Sequence, residues 1–424
     1  MKHTALPLLL TALLAWLPGT AAASALAAPS ELHARHRVPG LEQRVFTAEH
    51  WWQRVAPLLE NTDFGVETIG HSAQQRPLRH IQWGRGPVHV LLWSQMHGDE
   101  STATMALADL LAWLGDDGPD PRRERLAGAL SLHLVPILNP DGAARFQRRN
   151  AQGIDINRDA AALASPEARA LKALRERLQP AYGFNLHDQR PGYRAGDSAL
   201  PTAIALLAPP AEATRAIGPV RERAITLAAA IASELAPRLP GRLARWDDTF
   251  NPRAFGDLMQ AWGTSTVLIE AGGIDGDSEK QQLRGHVFDA IVSGLEAIAT
   301  HPPVNSQAYH RLPFNGEVWP DLLLAGATVH VPGSTPLRAD VLVNFEHPLR
   351  FAGGRVADIG DLAARPARRR IDATGLHLQP LAGATLALDA PARLRLSRDA
   401  DGRELVWILD GSLDPDLPDP LPGH

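Results

Sequence analysis

The sequence predicts an α/β domain built on a largely parallel or mixed sheet, followed by a small all-β domain. Three observations lead there. Between about residues 45 and 300, near-continuous apolar runs of strand length alternate with segments whose apolar residues recur at helical spacing. That alternation stops at His301-Pro302-Pro303. Beyond it, short β-like runs punctuated by Gly and Pro fill roughly residues 305–415.

Each element has its own signal. Residues 87–94 (PVHVLLWS) are a near-continuous apolar run, as suits a strand covered on both faces, and 130–138 (LSLHLVPIL) read as another buried strand. Residues 101–114 carry helical spacing, and 166–178 form a helix capped by Ser165. Residues 183–186 and 203–207 are short strands, and 210–235 is an Ala-rich helix interrupted at Pro219. Residues 264–269 are a β-branched strand and 279–299 a helix. In the second domain the expected strands are 327–331, 339–343, 375–378, 384–388, 393–396 and 404–409. Residues 416–424 are a Pro- and Asp-rich flexible tail.

Residues 1–28 are read as a signal peptide: Lys2 and His3, an apolar run at 8–17 too short to span a bilayer, then Ala23-Ser24-Ala25 as a cleavage site. The expectation is export to the periplasm or medium, with no stable membrane anchor after cleavage. The 424 residues are 45% hydrophobic, enough for one large and one small core. The net charge of -5 is spread without a basic block, which argues against nucleic acid as a partner. No cysteine is present, so disulfides and thiolate metal sites are closed, and any metal must be held by His, Asp and Glu.

Four elements carry chemistry. His97-Gly98-Asp99-Glu100 follows a buried strand, where an imidazole and a carboxylate three residues apart can converge on one ion. Asn139-Pro140-Asp141-Gly142 is a turn after the next strand. It leads into the stretch from Arg148 to Arg158 (RRNAQGIDINR), whose cationic and amide groups suit a carboxylate and a developing oxyanion. A short strand then delivers His187 at its end, and another delivers Glu270, a carboxylate desolvated enough to act as a general base.

In this order the four elements resemble the zinc metallocarboxypeptidase family over roughly residues 50–300; NPDG followed by RxNAxGxDxNR is the most specific part. The resemblance implies a mixed, twisted sheet with helices on both faces. It implies one Zn2+ per chain held by His97, Glu100 and His187, with Asp155 orienting His97. It also implies that Asn157 and Arg158 bind the free carboxylate of a peptide and that Arg148 stabilises the oxyanion. Glu270 would take a proton from the activated water and deliver it to the leaving amine.

Two departures stand out. The family often carries a tyrosine shortly before the glutamate, yet none of Tyr182, Tyr193 and Tyr309 lies there; residues 247–257 offer Phe250, Phe255 and Arg253. Asp188 stands where a small polar residue is commoner, adding a charge expected to disfavour acidic substrates. The favoured activity is carboxypeptidase action on a peptide. An amidase or deacylase acting on N-acyl amino acids or cell-wall stem peptides stays open, as does an inactive peptide- or glycan-binding protein. His89 and His133 are read as satisfied strand histidines, His71, His80 and His286 as lacking a partner motif, and Trp51 and Trp52 as packing residues. Residues 339–379 look like the small β segment of amidohydrolases and are assigned no catalysis.

Overall fold

The computed structural model describes residues 26–60, 63–198, 200–331 and 333–413. Most of the signal-peptide reading and the tail at 416–424 lie outside the described residues. The first sheet has eight strands: β1 Phe64–His71, β2 Pro77–Trp83, β3 Val88–Ser94, β4 Leu130–Val135, β5 Tyr182–Asp188, β6 Ile204–Leu207, β7 Leu243–Arg245 and β8 Ser265–Ala271. Their order is β1-β2-β4-β3-β5-β8-β6-β7. The central run β4-β3-β5-β8 is parallel, and β2 and β6 pair antiparallel at either side of it. The sheet is therefore mixed.

Side chains alternate across a strand, and here each face has its own helices. Val90 and Leu92 of β3 pack with the helices Thr102–Leu114, Pro219–Leu235 and Gln281–Thr300. Leu91 and Trp93 point the other way, toward the helices Pro166–Leu178 and Phe255–Ala261. Covering both faces is what leaves β4 and β8 buried from end to end. No helix among the described residues is long and apolar enough to cross a membrane.

A second sheet follows: β9 Leu322–Val329, β10 Leu337–His347, β11 Ala352–Gly360, β12 Arg369–Asp372, β13 His377–Pro380, β14 Arg393–Ser397 and β15 Leu405–Asp410. Six strands run in the order β11-β10-β9-β13-β14-β15, and β12 also pairs with β9. They enclose a separate core that includes Leu324, Val341, Val343 and Leu394.

Three local expectations are corrected. Residues 384–388 are turn and irregular chain, because Asp389 turns at φ 61° and its amide bonds to Val356 O. Pro219 starts the helix Pro219–Leu235 rather than interrupting one, since its missing N–H costs nothing in a first turn. His80, read as lacking a partner motif, contacts both Glu67 and His133. Trp51, by contrast, is fully buried, with its indole N–H on Thr104 O, in keeping with a packing role.

Candidate active site

The carboxyl ends of β3, β5 and β8 open into a cleft of about 1030 Å3. The loop after β3 is shaped by backbone contact. A Cβ on Gly98 would lie 2.0 Å from the Gly142 carbonyl carbon, so the loop can rest on the NPDG turn only with glycine there. Asn139 ties the two together: Oδ1 accepts from Gly142 N at 2.8 Å, and Nδ2 donates to Met96 O and Arg148 O. The NPDG motif thus holds the loops that carry His97 and Arg148. Asn150 builds the turn after Arg148, accepting from the amides of Gln152 and Ile154.

His97 is fixed from behind: its Nε2 sits 3.0 Å from Asp155 Oδ1, which leaves Nδ1 facing the cleft. That Nδ1 lies 2.8 Å from Glu100 Oε1 and 3.2 Å from His187 Nδ1, and His187 Nδ1 lies 2.7 Å from Glu100 Oε2. All three residues are buried. Two imidazole nitrogens facing each other at this distance suit a shared cation. Bonds of about 2.0–2.1 Å around a tetrahedral ion would set them about 3.3 Å apart. Two histidines and a carboxylate are a donor set that zinc accepts, so these residues fit the metal.

Glu270 reaches the same place through sheet register. His187 of β5 and Glu270 of β8 are direct partners in parallel pairing, so the two side chains leave neighbouring strands side by side. Glu270 Oε2 is buried with no hydrogen-bond partner among the described residues. Burial, with Glu100 and Asp188 nearby, pushes its pKa well above the ordinary carboxylate range. The neighbours behave differently. Burial opposes ionisation of Glu100, but His97 and His187 outweigh it and hold that group low. Burial also opposes the charge on His97, yet Glu100 and Asp155 raise it to about 9. The cluster is rich in anionic charge and favours cations.

Arg148, Asn157 and Arg158 line the cleft with these groups. Arg148 bridges Glu100 Oε1 at 3.1 Å and Asp155 Oδ2 at 3.0 Å, while Arg149 turns away to Gly153 O. Asn157 Oδ1 accepts from Phe255 N, and Arg158 O accepts from Arg253 Nε. Of the three residues offered in place of the tyrosine, only Phe250 lines the cleft. Phe255 is core, and Arg253 is held on that carbonyl.

Asp188 proves to be half of a buried ion pair. Lys280 Nζ lies 2.9 Å from its Oδ2 and 3.1 Å from Ala271 O, and Thr102 Oγ1 donates to the same oxygen. The extra negative charge read from the sequence is therefore matched locally. Lys280 carried no sequence signal, because it lies 92 positions away at the left-handed entry to a helix. Residues Phe345 to Arg350 of the second sheet also line the cleft, equally unannounced.

A family model for zinc carboxypeptidases matches residues 58–176. Over that segment the chain is similar to the zinc carboxypeptidase family. The matched segment holds His97, Glu100 and the Arg148–Arg158 stretch, while His187 and Glu270 lie beyond it. Among similar proteins, carboxypeptidase SOL1 of Arabidopsis thaliana is 38% identical over 65 residues, 15% of this chain and 13% of that protein. Carboxypeptidase 2 of Trichophyton tonsurans is 31% identical over 110 residues, 26% of this chain and 20% of that protein. The matches thus span a fifth or less of these two relatives. In fold, the chain resembles bovine thrombin-activatable fibrinolysis inhibitor, solved with tick carboxypeptidase inhibitor. The TM-score is 0.51 at 13% identity, covering 62% of this chain and 99% of that one.

Proposed function

We propose that this chain is a zinc carboxypeptidase that removes the C-terminal residue of peptides, using one zinc ion held by His97, Glu100 and His187. The observation that carries this reading is the register pairing of His187 with Glu270, which sets a desolvated carboxylate beside the three convergent donors. Zinc supplies Lewis-acid activation of water and of a carbonyl oxygen. Glu270, its pKa raised by burial, accepts the proton of the attacking water and passes it to the departing amine. Asp155 keeps the His97 ring oriented and its Nδ1 turned inward. Arg148 reaches the donor atoms from the cleft side, where a guanidinium stabilises an oxyanion. Asn157 and Arg158 offer an amide and a cation to the terminal carboxylate.

We take residues 45–300 as the catalytic domain, 305–415 as an accessory β domain, and residues 1–28 as an export signal. The deciding experiment measures hydrolysis of an N-blocked dipeptide and of its C-terminal amide. Cleavage of the free acid only, abolished by a chelator, restored by zinc and reduced at least about a hundredfold by Glu270→Gln, is expected. Wild-type turnover in Glu270→Gln would overturn the reading.

A further inference from the structure

The tip of the β10–β11 hairpin belongs to the second sheet, yet it forms a wall of the cleft. Its attachment is built. Arg350 donates to Glu279 Oε1 at 2.6 Å, and Glu279 Oε2 accepts from Arg44 N at 2.9 Å. Arg368, its side chain nearly buried, donates to Pro348 O, Asp321 Oδ1 and Asp275 Oδ1, joining the hairpin to the loop that follows Glu270. Phe345 and Phe351 close the base edge to face, with ring centroids 5.4 Å apart. His347 is exposed on this wall, and its imidazole has no partner among the described residues.

Where the wall stands decides what it can touch. Asn157 and Arg158 are tied to the start of the helix Phe255–Ala261, on the sheet face carrying Leu91 and Trp93. Glu279 precedes the helix Gln281–Thr300, on the opposite face, with Leu92. A peptide held by its carboxylate on the first side, with its scissile bond at the donor cluster, must leave the cleft over the second. We propose that the β10–β11 hairpin is a subsite for the peptide segment N-terminal to the scissile bond, with His347 as its polar contact. Arg350 positions it through Glu279. This rests on the carboxypeptidase reading and adds that the second sheet selects for longer peptides.

The test uses the full zinc-loaded chain and two N-blocked substrates, a dipeptide and a pentapeptide with the same last two residues. In the wild type, kcat/KM for the pentapeptide should exceed that for the dipeptide at least tenfold. His347→Ala and Arg350→Ala should each cut this ratio at least threefold through the pentapeptide KM, and Arg350→Lys should recover most of it. In Glu270→Gln protein, the amides of residues 345–351 should exchange more slowly with pentapeptide bound than with dipeptide bound. Cleavage of both peptides with the same ratio in wild type and variants overturns the hairpin subsite alone. A wild type that cleaves neither peptide overturns the carboxypeptidase reading and the subsite with it.

Discussion

The buried pair behind the site offers a sharp energetic test. Lys280→Met removes an ammonium that lies 2.9 Å from Asp188 Oδ2, in a pair whose side chains are 2% and 4% exposed. At an effective dielectric of about 20, that separation corresponds to about 6 kcal/mol of attraction, much of it offset by desolvation. Breaking one partner of such a pair costs about 3–5 kcal/mol, because the remaining carboxylate is left in a dry site. Ala271 O also loses a donor. Lys280→Met is therefore expected to lose about 4 kcal/mol of stability. Adding Asp188→Asn to Lys280→Met should restore about 2 kcal/mol, since no unpaired charge then remains. The assay is urea unfolding of wild type, both single variants and the double variant, all in excess chelator so that metal binding does not enter the balance. A coupling energy below about 1 kcal/mol would show that water reaches the pair and would refute the argument.

Three further outcomes follow from the geometry. Asp155→Asn removes the acceptor on His97 Nε2 and should weaken zinc binding about 10- to 100-fold in competition with a chromophoric chelator, with the fold unchanged by circular dichroism. Gly98→Ala drives a Cβ to 2.0 Å from the Gly142 backbone and should cost at least about 2 kcal/mol in the same urea assay, because neither backbone can give way cheaply. Glu67, His80, His133 and His89 form a hydrogen-bonded ladder across four adjacent strands. Burial, reinforced by His80 and His89, holds His133 down to about 3, and burial also lowers His80. A histidine with a depressed folded pKa binds protons first in the unfolded chain. The ladder's stability is thus present above about pH 6.5 and lost as pH falls toward 3, by up to about 1.4 kcal/mol per pH unit for each proton. Thermal unfolding between pH 7 and 5 should show the decline, and His133→Gln should flatten it.

How much of this was legible depends on the range over which each signal acts. Strands β3, β4, β5 and β8 were readable because burial on both faces favours largely apolar runs, and those runs end where His97, His187 and Glu270 leave the sheet. Strands β1 and β2 were missed: β1 lies at the sheet edge with most of its side chains in solvent, so FGVETIGH needs no apolar pattern. Residues 384–388 look like a strand, but no partner strand pairs with them among the described residues.

The sequence by itself determined which residues stand at strand ends and in turns, because apolar runs, caps and glycines act within a few positions. Only the tertiary structure decided the register that sets His187 against Glu270, the Lys280 ammonium that answers Asp188, and the hairpin wall from a second sheet. Those relations join segments tens to hundreds of residues apart. Their energies depend on distance and desolvation, quantities that exist only once the chain has closed on itself.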